Sequence, residues 1–309
     1  MQERRADILD RLADGPVPGP ALAEQLDITR AAVWKHIEAL REEGFEIASG
    51  ESGYALDSVP EFGGSAIEFG LSAPFTVEYH DLIGSTNKRA RELAEAGEKN
   101  TVVAADRQTG GRGRLDRQWS SPSGGIWLSV LLRPAVPAVH APLFTLAAAV
   151  ATTRAVRACG VDATIKWPND VQVEGRKLAG ILTEMEGEAD RISWLVVGIG
   201  LNANVDATQL PGDRPATSLR AETGDINRQD LTQHLLETFW ELSEGTDSIL
   251  PAWRELTSTL GQRVRVETQT EEIVGDAVGI EFPGSLIVDT GTEKRTVSAG
   301  DCEHLRPAE

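Results

Sequence analysis

The sequence predicts an α+β protein with three domains, because three stretches of the chain differ in their patterning. Residues 1–60 contain three short amphipathic helices followed by an alternating stretch with a glycine-bearing turn. Residues 61–257 mix apolar strands with amphipathic helices, which predicts a central domain with a mixed sheet. Residues 258–309 show only short alternating stretches with frequent glycine, which predicts a small SH3-like β-barrel.

The first domain has the pattern of a winged helix-turn-helix. In RADILDRLAD the large aliphatic side chains share one helical face, and prolines separate this helix from ALAEQL. Thr29 is placed to cap the third helix, RAAVWKHIEALREEG, whose Val33, Ile37 and Leu40 face inward. FEIASGESGYAL alternates and turns at residues 50–53, as a two-stranded wing does. A tight turn between two helices, followed by a hairpin, is typical of this DNA-binding fold.

The charge of the first domain leaves two interpretations open. The candidates to face DNA are Arg30, Lys35, His36 and Arg41. Residues 1–60 nevertheless contain 6 Lys or Arg against 12 Asp or Glu, and neutralising phosphates normally supplies much of the affinity for DNA. The domain is therefore either a DNA-binding unit or a small accessory helical domain with scattered surface charge.

The central and third domains are predicted element by element. The strand candidates of the central domain are FTVEYH, NTVVAAD, GGIWLSVLLRP, ATIKWPND, KLAGILTEMEGE and SWLVVGIGLNAN, with a hairpin at Glu174–Gly175. The helix candidates are STNKRARELAEAG, APLFTLAAAVATTRAVRAC and QDLTQHLLETFWELSE, the first beginning at Ser85–Thr86. The third domain follows with RVRVET, EEIVGDAVGIEF, SLIVDT and EKRTVSAGD.

The composition indicates a cytoplasmic protein. The formal net charge is −18, and the three domains carry −6, −7 and −5, so the acidity is spread rather than held in a tail. Such a surface stays hydrated at high salt, which suggests a halophilic-type acidic surface. The first ten residues are too charged for a secretory signal, and no uninterrupted apolar run reaches about 18 residues, so we expect no membrane partner. The five histidines and two cysteines lack the spacing of a zinc site.

One cationic stretch, GGRGRLDRQW at residues 110–119, is unusual in so acidic a chain. Glycine permits close backbone approach, and arginine matches phosphate and carboxylate oxygens. Together they favour a mobile loop that closes over an anionic ligand. A solvated surface turn is the alternative.

Three further motifs bear on that choice. GSTN, at residues 84–87, offers hydroxyls and free N–H groups at a helix start, or a plain helix cap. KWPND at 166–170, followed by RKLAG at 176–180, suits phosphate with Mg²⁺, or a surface turn. GIGLN at 198–202 puts two glycines in a bulky strand, where a ligand or a neighbouring strand presses on the backbone.

Four patterns within these stretches are GRGRxxRxW, KWPND, RKLAGIL and GIGxN. In this order and spacing they resemble the motifs of the biotin protein ligases. The resemblance covers essentially the whole chain. With its N-terminal winged helix, the chain is similar to the bifunctional form, which is also the biotin operon repressor. The resemblance implies the α+β catalytic fold of the biotin and lipoate ligases and a homodimer through the central sheet.

The resemblance also implies a two-step reaction. Biotin and MgATP give biotinyl-5′-adenylate and pyrophosphate, and a lysine of a biotin carboxyl carrier protein, or of such a domain in an acyl-CoA carboxylase, then attacks the adenylate and releases AMP. Arg, Lys and Mg²⁺ suit the first step, because two anions must be joined. The adenylate hydrolyses readily, so a loop that excludes water is useful.

Site residues are implied by matching motif positions. Those for biotin are Ser85, Thr86, Asn87, Gln108, Arg112, Gly113, Arg114, Lys177, Gly198 and Gly200. Those for ATP and the adenylate are Arg114, Arg117, Trp119, Lys166, Asn169, Asp170 and Asn202. The candidate catalytic residues are Arg112, Lys166, Asp170 and Lys177, and Asp170 is also the candidate magnesium ligand and acceptor of the carrier lysine's proton.

The motif departs from the family pattern at one place, and two other functions stay open. Leu115 and Asp116 stand where repressor-type members often carry Arg and Gly, so Asp116 adds negative charge beside the phosphates and leaves loop mobility and adenylate affinity in doubt.

A DNA-binding repressor without ligase activity is one alternative. A lipoate-type ligase of the same fold is the other, and GRGRxxRxW with KWPND weighs against it.

Overall fold

The computed structural model describes residues 2–212 and 215–305, without the side chains of residues 2, 3 and 116. The expected effect of the Asp116 charge therefore lies outside the described part of the chain. The N-terminal unit consists of α1 (Gln2–Ala13), α2 (Gly19–Gln25), α3 (Arg30–Glu42), β1 (Glu46–Gly50) and β2 (Gly53–Ser58). β1 and β2 pair as an antiparallel hairpin, which confirms the predicted helix-turn-helix with a wing.

Local chemistry explains the shape of this unit. The Thr29 hydroxyl accepts a hydrogen bond from the Ala32 N–H at 3.2 Å, so it caps α3 as predicted. At the tip of the hairpin Gly53 has φ +114°, and a Cβ there would overlap the carbonyl of Val17, so glycine is required. The helices and hairpin enclose a core of their own that includes Ile8, Leu22, Ile37, Leu40 and Phe45.

A seven-stranded mixed sheet forms the centre of the molecule. Its strands are β3 (Thr76–Ile83), β4 (Thr101–Gln108), β5 (Ile126–Leu132), β6 (Thr164–Lys166), β7 (Asp170–Val173), β8 (Arg176–Glu188) and β9 (Arg191–Leu201). They lie in the order β3-β4-β5-β9-β8-β7-β6. β3 and β4 are parallel and the other neighbours are antiparallel, which confirms the predicted mixed sheet.

Helices cover both faces of this sheet. They are α4 (Gly64–Glu68), α5 (Thr86–Glu95), α6 (Ala141–Ala158), α7 (Leu219–Thr223), α8 (Arg228–Glu244) and α9 (Ile249–Leu256). α6 packs against α8, α9 and β8, whereas α5 packs against β4, β5 and β9. Val102 and Val103 of β4 belong to different apolar clusters, because successive side chains of a strand point to opposite faces.

The helix α6 is apolar along most of its length. Within the described residues, Ala138–Ala158 is long and apolar enough to cross a membrane, with a mean hydropathy of 1.2 in its most apolar window. Arg154 and Arg157 interrupt this segment, so it is not the uninterrupted apolar run that the sequence analysis sought. Of that window, 72% is buried inside the molecule, as expected for the central helix of a globular core.

The C-terminal strands are β10 (Arg263–Glu267), β11 (Glu272–Glu281), β12 (Ser285–Asp289), β13 (Lys294–Val297) and β14 (Asp301–His304). They form an antiparallel sheet in the order β13-β12-β11-β10-β14, so the predicted barrel is not closed by hydrogen bonds. The three residues 298–300 nevertheless join its two outer strands, and such a link spans only about 13 Å. The sheet must therefore curl strongly without pairing β13 to β14.

Candidate functional site

A polar network joins the start of α5 to the end of β4. The Ser85 hydroxyl accepts a hydrogen bond from the Lys88 N–H at 3.4 Å and caps the helix. The Thr86 N–H donates to Oε1 of Gln108 at 2.8 Å, and the Thr86 hydroxyl donates to the same oxygen at 3.1 Å. Gln108 in turn donates to the Ser121 hydroxyl at 2.9 Å. GSTN and Gln108, 22 residues apart, therefore meet at one place.

Asn87 lies directly against Gly198 of β9. Its amide donates to the Glu184 carboxylate at 2.7 Å, and its Oδ1 accepts from the buried Ser129 hydroxyl at 2.6 Å. A Cβ at residue 198 would overlap that Oδ1 and lie 2.9 Å from Cγ of Asn87. The group packed against Gly198 is thus the Asn87 side chain, which is held in place by hydrogen bonds.

The Gly/Arg stretch folds as an irregular hairpin, which we call the 108–121 hairpin. Bridges pair Gln108 with Ser121 and Arg112 with Gln118. Gly111 is required there, because a Cβ would lie 2.6 Å from the Trp119 carbonyl oxygen. In the described chain this segment is thus folded rather than an open loop.

The turn of the 108–121 hairpin carries the departure from the family pattern. Leu115 has φ +54° and ψ +37°, a conformation that favours glycine, and its side chain is 67% exposed. A bulky residue therefore occupies a strained position at the tip of the turn. Gly113 is half-buried, and its N–H donates to the Arg117 carbonyl at 2.8 Å.

The 108–121 hairpin places Trp119 over two paired glycines. Gly180 of β8 and Gly200 of β9 are register partners in the sheet. A Cβ on Gly200 would lie 2.5 Å from Nε1 of Trp119, and a Cβ on Gly180 would lie 3.3 Å from its ring. The buried Nε1 has no hydrogen-bond partner among the described residues. The indole therefore rests on bare backbone and covers it.

Charged groups gather at the edge of this indole. Nζ of Lys177 lies 5.1 Å from the centre of a Trp119 ring and 2.6 Å from Oδ1 of Asp170. Arg114 donates to Oδ1 of Asn169 at 3.0 Å, which links the hairpin to the KWPND motif. Both carboxylate and cations are partly exposed, so a ligand can reach them.

The same hairpin also contacts the C-terminal sheet. Arg114 donates to the Gly300 carbonyl at 3.0 Å, and Arg117 forms an ion pair with Asp301. These contacts join residues about 186 positions apart in the chain. The C-terminal sheet therefore supports the predicted ligand loop.

Lys166, of the KWPND motif, also faces the C-terminal sheet. The pKa of His304 is lowered to about 4, chiefly by burial and also by the nearby Lys166 cation. Burial raises the pKa of Cys302 to about 11, although the same cation opposes that shift. Lys166 is thus at the junction of the central and C-terminal sheets.

Two further predicted residues differ in their surroundings. Arg112 is exposed on the hairpin. The side chain of Asn202 is buried and donates to the Thr217 carbonyl at 2.9 Å, so it supports the segment before α7. Contact of either residue with the ligand stays a prediction.

Two residues that sequence reasoning missed belong to the network. Ser129 donates its hydroxyl to Thr86 or Asn87, at 2.8 Å and 2.6 Å, and is fully buried. Glu184 pairs with Arg91 at 3.2 Å and accepts from Asn87. A serine inside the apolar stretch IWLSVLL was a signal for the first of these, since buried hydroxyls need partners.

The candidate DNA-facing residues differ in availability. Arg30 and Lys35 are exposed on α3, and His36 is half-buried. Burial lowers the pKa of His36, and the cations of Arg5 and Arg4 lower it further, which favours a neutral ring.

Arg41 connects α3 to the wing. Its guanidinium donates to the Ile47 carbonyl at 3.0 Å and to the Ser49 hydroxyl at 2.9 Å. It also contacts Glu38 at 2.6 Å. Its contact with DNA stays a prediction.

No group of three or more His, Cys, Asp and Glu side chains that could hold a metal occurs within residues 2–212 and 215–305. The carboxylate of Asp170 is instead neutralised by Lys177.

Comparison with known proteins places all three parts of the chain. An HTH domain model matches residues 4–55, the biotin/lipoate A/B protein ligase family matches residues 79–202, and the biotin protein ligase C terminal domain matches residues 259–305. The protein aligns with the solved structure of the biotin protein ligase from Aquifex aeolicus in complex with biotin and ATP at a TM-score of 0.62 and 27% identity, over 74% of this chain and 98% of that chain.

Curated relatives align with most of the chain. The bifunctional ligase/repressor BirA of Bacillus subtilis (strain 168) is 38% identical over 303 residues, 93% of each chain. The BirA of Escherichia coli (strain K12) is 28% identical over 88% of this chain and 87% of its own. The biotin–acetyl-CoA-carboxylase ligase of Paracoccus denitrificans is 34% identical over 70% of this chain and 95% of its own. At this identity and coverage, the chain belongs to the biotin protein ligase family, with the N-terminal helix-turn-helix of its bifunctional ligase/repressors.

Proposed function

We propose that this protein condenses biotin with ATP to biotinyl-5′-adenylate and then transfers the biotinyl group to a lysine of a biotin carboxyl carrier protein or domain. The observation that supports this most is the 108–121 hairpin, which carries the motif's arginines and Trp119 and lies over Gly180 and Gly200 beside Lys177. The names of the relatives above support the same reaction. We also propose that residues 1–60, 61–257 and 258–309 are the domains.

The pocket suits a small, mostly apolar ligand with one polar end. Ser85, Thr86, Asn87 and Gln108 supply hydrogen-bonding groups at one end, where we place the ureido ring of biotin. The two glycines leave bare backbone as a floor for its bicycle and tail. Trp119 occupies that floor in this structure, so it must move aside to admit biotin, and the displaced indole can then cover the adenylate and exclude water.

The charged end of the pocket suits the phosphates of ATP. Joining the biotin carboxylate to the α-phosphate brings two anions together, and Arg112, Arg114 and Lys177 offset their repulsion. Mg²⁺ enters with ATP as part of the substrate, and it usually takes one or two carboxylates together with phosphate oxygens. Asp170 offers such a carboxylate beside Lys177, at 2.6 Å from its Nζ. The same carboxylate is our candidate to accept the proton of the carrier lysine.

Transfer of the biotinyl group is tested with a purified biotin carboxyl carrier domain, labelled biotin, ATP and Mg²⁺ at high salt. We expect label on the carrier that depends on ATP, and none on a carrier whose target lysine is replaced by arginine. Lys177→Met should reduce labelling about a hundredfold, because it removes a cation from the developing charge. Absence of ATP-dependent labelling by folded wild-type protein would contradict the proposal.

We further propose a second role as a biotin-responsive transcriptional repressor. The helix-turn-helix match at residues 4–55 and the bifunctional relatives support this role. We place the protein in the cytoplasm as a homodimer with an acidic surface suited to high salt. Specific binding to DNA upstream of biotin genes, measured at high salt with biotin and ATP present, tests the repressor role. Absence of specific binding in these conditions would leave the ligase as the function.

A further inference from the structure

An exposed tryptophan lies on the outer side of α3. Trp34 is 54% exposed, whereas its neighbours Val33 and Ile37 are 1% and 0% exposed. The apolar core of the N-terminal unit is formed without it. Within the described residues, the side chain of Trp34 also takes part in no hydrogen bond or ring contact. The fold therefore does not explain why so large an apolar side chain stands here.

The charges around Trp34 differ from those of the rest of the domain. Arg30 and Lys35 are exposed beside it, and residues 30–37 contain no Asp or Glu. The acidic residues of α3, Glu38 and Glu42, lie toward its other end, where Glu38 is paired with Arg41 and the C-cap residue Glu43 with Arg5. The first half of α3 is thus a small cationic surface with an indole at its centre, although the domain as a whole is acidic.

We infer that Trp34 reads thymine through its C5-methyl group in the major groove of DNA. This inference rests on the proposed repressor function. The first half of the second helix in a helix-turn-helix is the part that reaches base edges. The thymine methyl is the apolar feature that the major groove presents, and it distinguishes a T·A pair from the other pairs. An exposed indole between two cations fits such a base edge.

The same arrangement compensates for the acidity of the domain. Arg30 and Lys35 can contact at most a few phosphates. A plot of the logarithm of DNA affinity against the logarithm of salt concentration should therefore have a slope of only about −2 for each bound domain. Contact between an indole and a methyl group does not depend on ion release. At high salt this contact supplies much of the discrimination between sequences.

The test begins with duplexes that the full-length protein selects from a random DNA pool at high salt, in the presence of biotin, ATP and Mg²⁺. We compare wild type, Trp34→Ala and Trp34→Phe on these duplexes and on copies with deoxyuridine in place of thymidine at each position. The matched control is Phe282→Ala, because Phe282 is 50% exposed in the C-terminal part of the chain. Biotin-dependent exchange of pyrophosphate into ATP verifies that each variant is folded and active.

The expected result has three parts. Trp34→Ala binds about tenfold more weakly, while Trp34→Phe and Phe282→Ala bind much like wild type. Removing the decisive thymine methyl weakens wild type about fourfold and leaves Trp34→Ala unchanged. Adenylation is unaffected in all variants.

Three outcomes would overturn the inference, and they are distinguishable. Failure of wild type to select any duplex would overturn the repressor function and this inference together. Selection followed by equal binding of Trp34→Ala would overturn the inference alone. Weaker binding of Trp34→Ala with no effect of deoxyuridine would assign Trp34 to the DNA backbone instead of to thymine.

Discussion

The ligand pocket and the outer side of α3 are built in opposite ways. In the pocket, the motif residues hold one another in place by direct contact. Asn87 packs against Gly198, and Trp119 packs against Gly200. On α3, Trp34 and Lys35 extend into solvent. Ligand binding in the pocket therefore depends on close packing, which a single added carbon atom disrupts. Binding by the α3 surface depends instead on what a few exposed side chains contact outside the chain.

The largest effect should come from adding one methyl group to the pocket. In Gly198→Ala the new Cβ overlaps Oδ1 of Asn87, which is held by Ser129 and Glu184 and cannot move freely. We expect biotin-dependent activity to fall about a hundredfold, since small displacements at a reacting site cost that much. Steady-state kinetics with varied biotin, together with circular dichroism, measures this.

Two further glycines serve as controls for that variant. Gly200→Ala should cost less, because its neighbour Trp119 lies on the 108–121 hairpin, which can shift. Gly50→Ala should cost nothing, because a Cβ there meets no atom within 4 Å. Equal activity of Gly198→Ala and Gly50→Ala would show that the close fit at Asn87 does not matter.

A smaller effect is expected from the exposed arginine of the hairpin. Arg112→Ala removes a charge-assisted hydrogen bond that we assign to the ligand, so preformed adenylate should be lost about tenfold faster. Release of labelled biotinyl-adenylate from the purified complex measures this rate. Arg191→Ala is the control, because Arg191 is 69% exposed at the remote β8–β9 turn. Normal adenylate retention by Arg112→Ala would remove Arg112 from the site.

A still smaller effect should follow loss of the contact between the hairpin and the C-terminal sheet. Asp301→Asn removes the carboxylate that pairs with Arg117, and a partly exposed pair is worth up to about 1 kcal/mol. Adenylate release should then be up to about fivefold faster, with Asp301→Glu close to wild type. Asp276→Asn, in an exposed pair with Arg263 at 3.4 Å, is the control. Slower release would mean instead that Asp301 competes with the ligand's phosphates for Arg117.

A separate effect, on stability instead of on activity, concerns acidification at the junction of the two sheets. The pKa of His304 is lowered to about 4 from 6.5, so between these values the unfolded chain binds a proton that the folded chain does not. Its contribution to stability is complete above pH 6.5 and falls by about 1.4 kcal/mol for each pH unit toward 4. His304→Gln keeps a partner for the Thr259 hydroxyl, 3.1 Å away, and should lose less stability on acidification. Denaturant unfolding at pH 7 and pH 5 tests this, and equal losses in both proteins would contradict it.

Sequence motifs predicted the elements around the candidate site well, because its chemistry requires particular residue types at short spacing. GSTN was expected at a helix start and KWPND beside RKLAG, and the elements there are as predicted. The contacts of Arg114 with Gly300 and of Arg117 with Asp301 could not be predicted, because they join positions about 186 residues apart. A single sequence contains no signal for such pairs.

Other parts were missed for local reasons. The helix α9 was not among the predicted helices, and it has Pro251 in its first turn, where proline is tolerated. The contacts of the Arg41 guanidinium with carbonyl and hydroxyl groups of the wing were not predicted, because they depend on how the hairpin packs against α3. The sequence could not show that the outer strands β13 and β14 of the C-terminal sheet stay unpaired. Alternation along a strand does not specify which strands pair.

The most direct test of the whole account is biotin-dependent exchange of labelled pyrophosphate into ATP by the purified protein at high salt, with lipoate as the control. Exchange with biotin and not with lipoate is the predicted result, and it would establish that the pocket activates biotin. Exchange with lipoate would assign the pocket to a lipoate-type ligase. No exchange by folded protein with either acid would contradict the ligase function and leave the repressor role in its place.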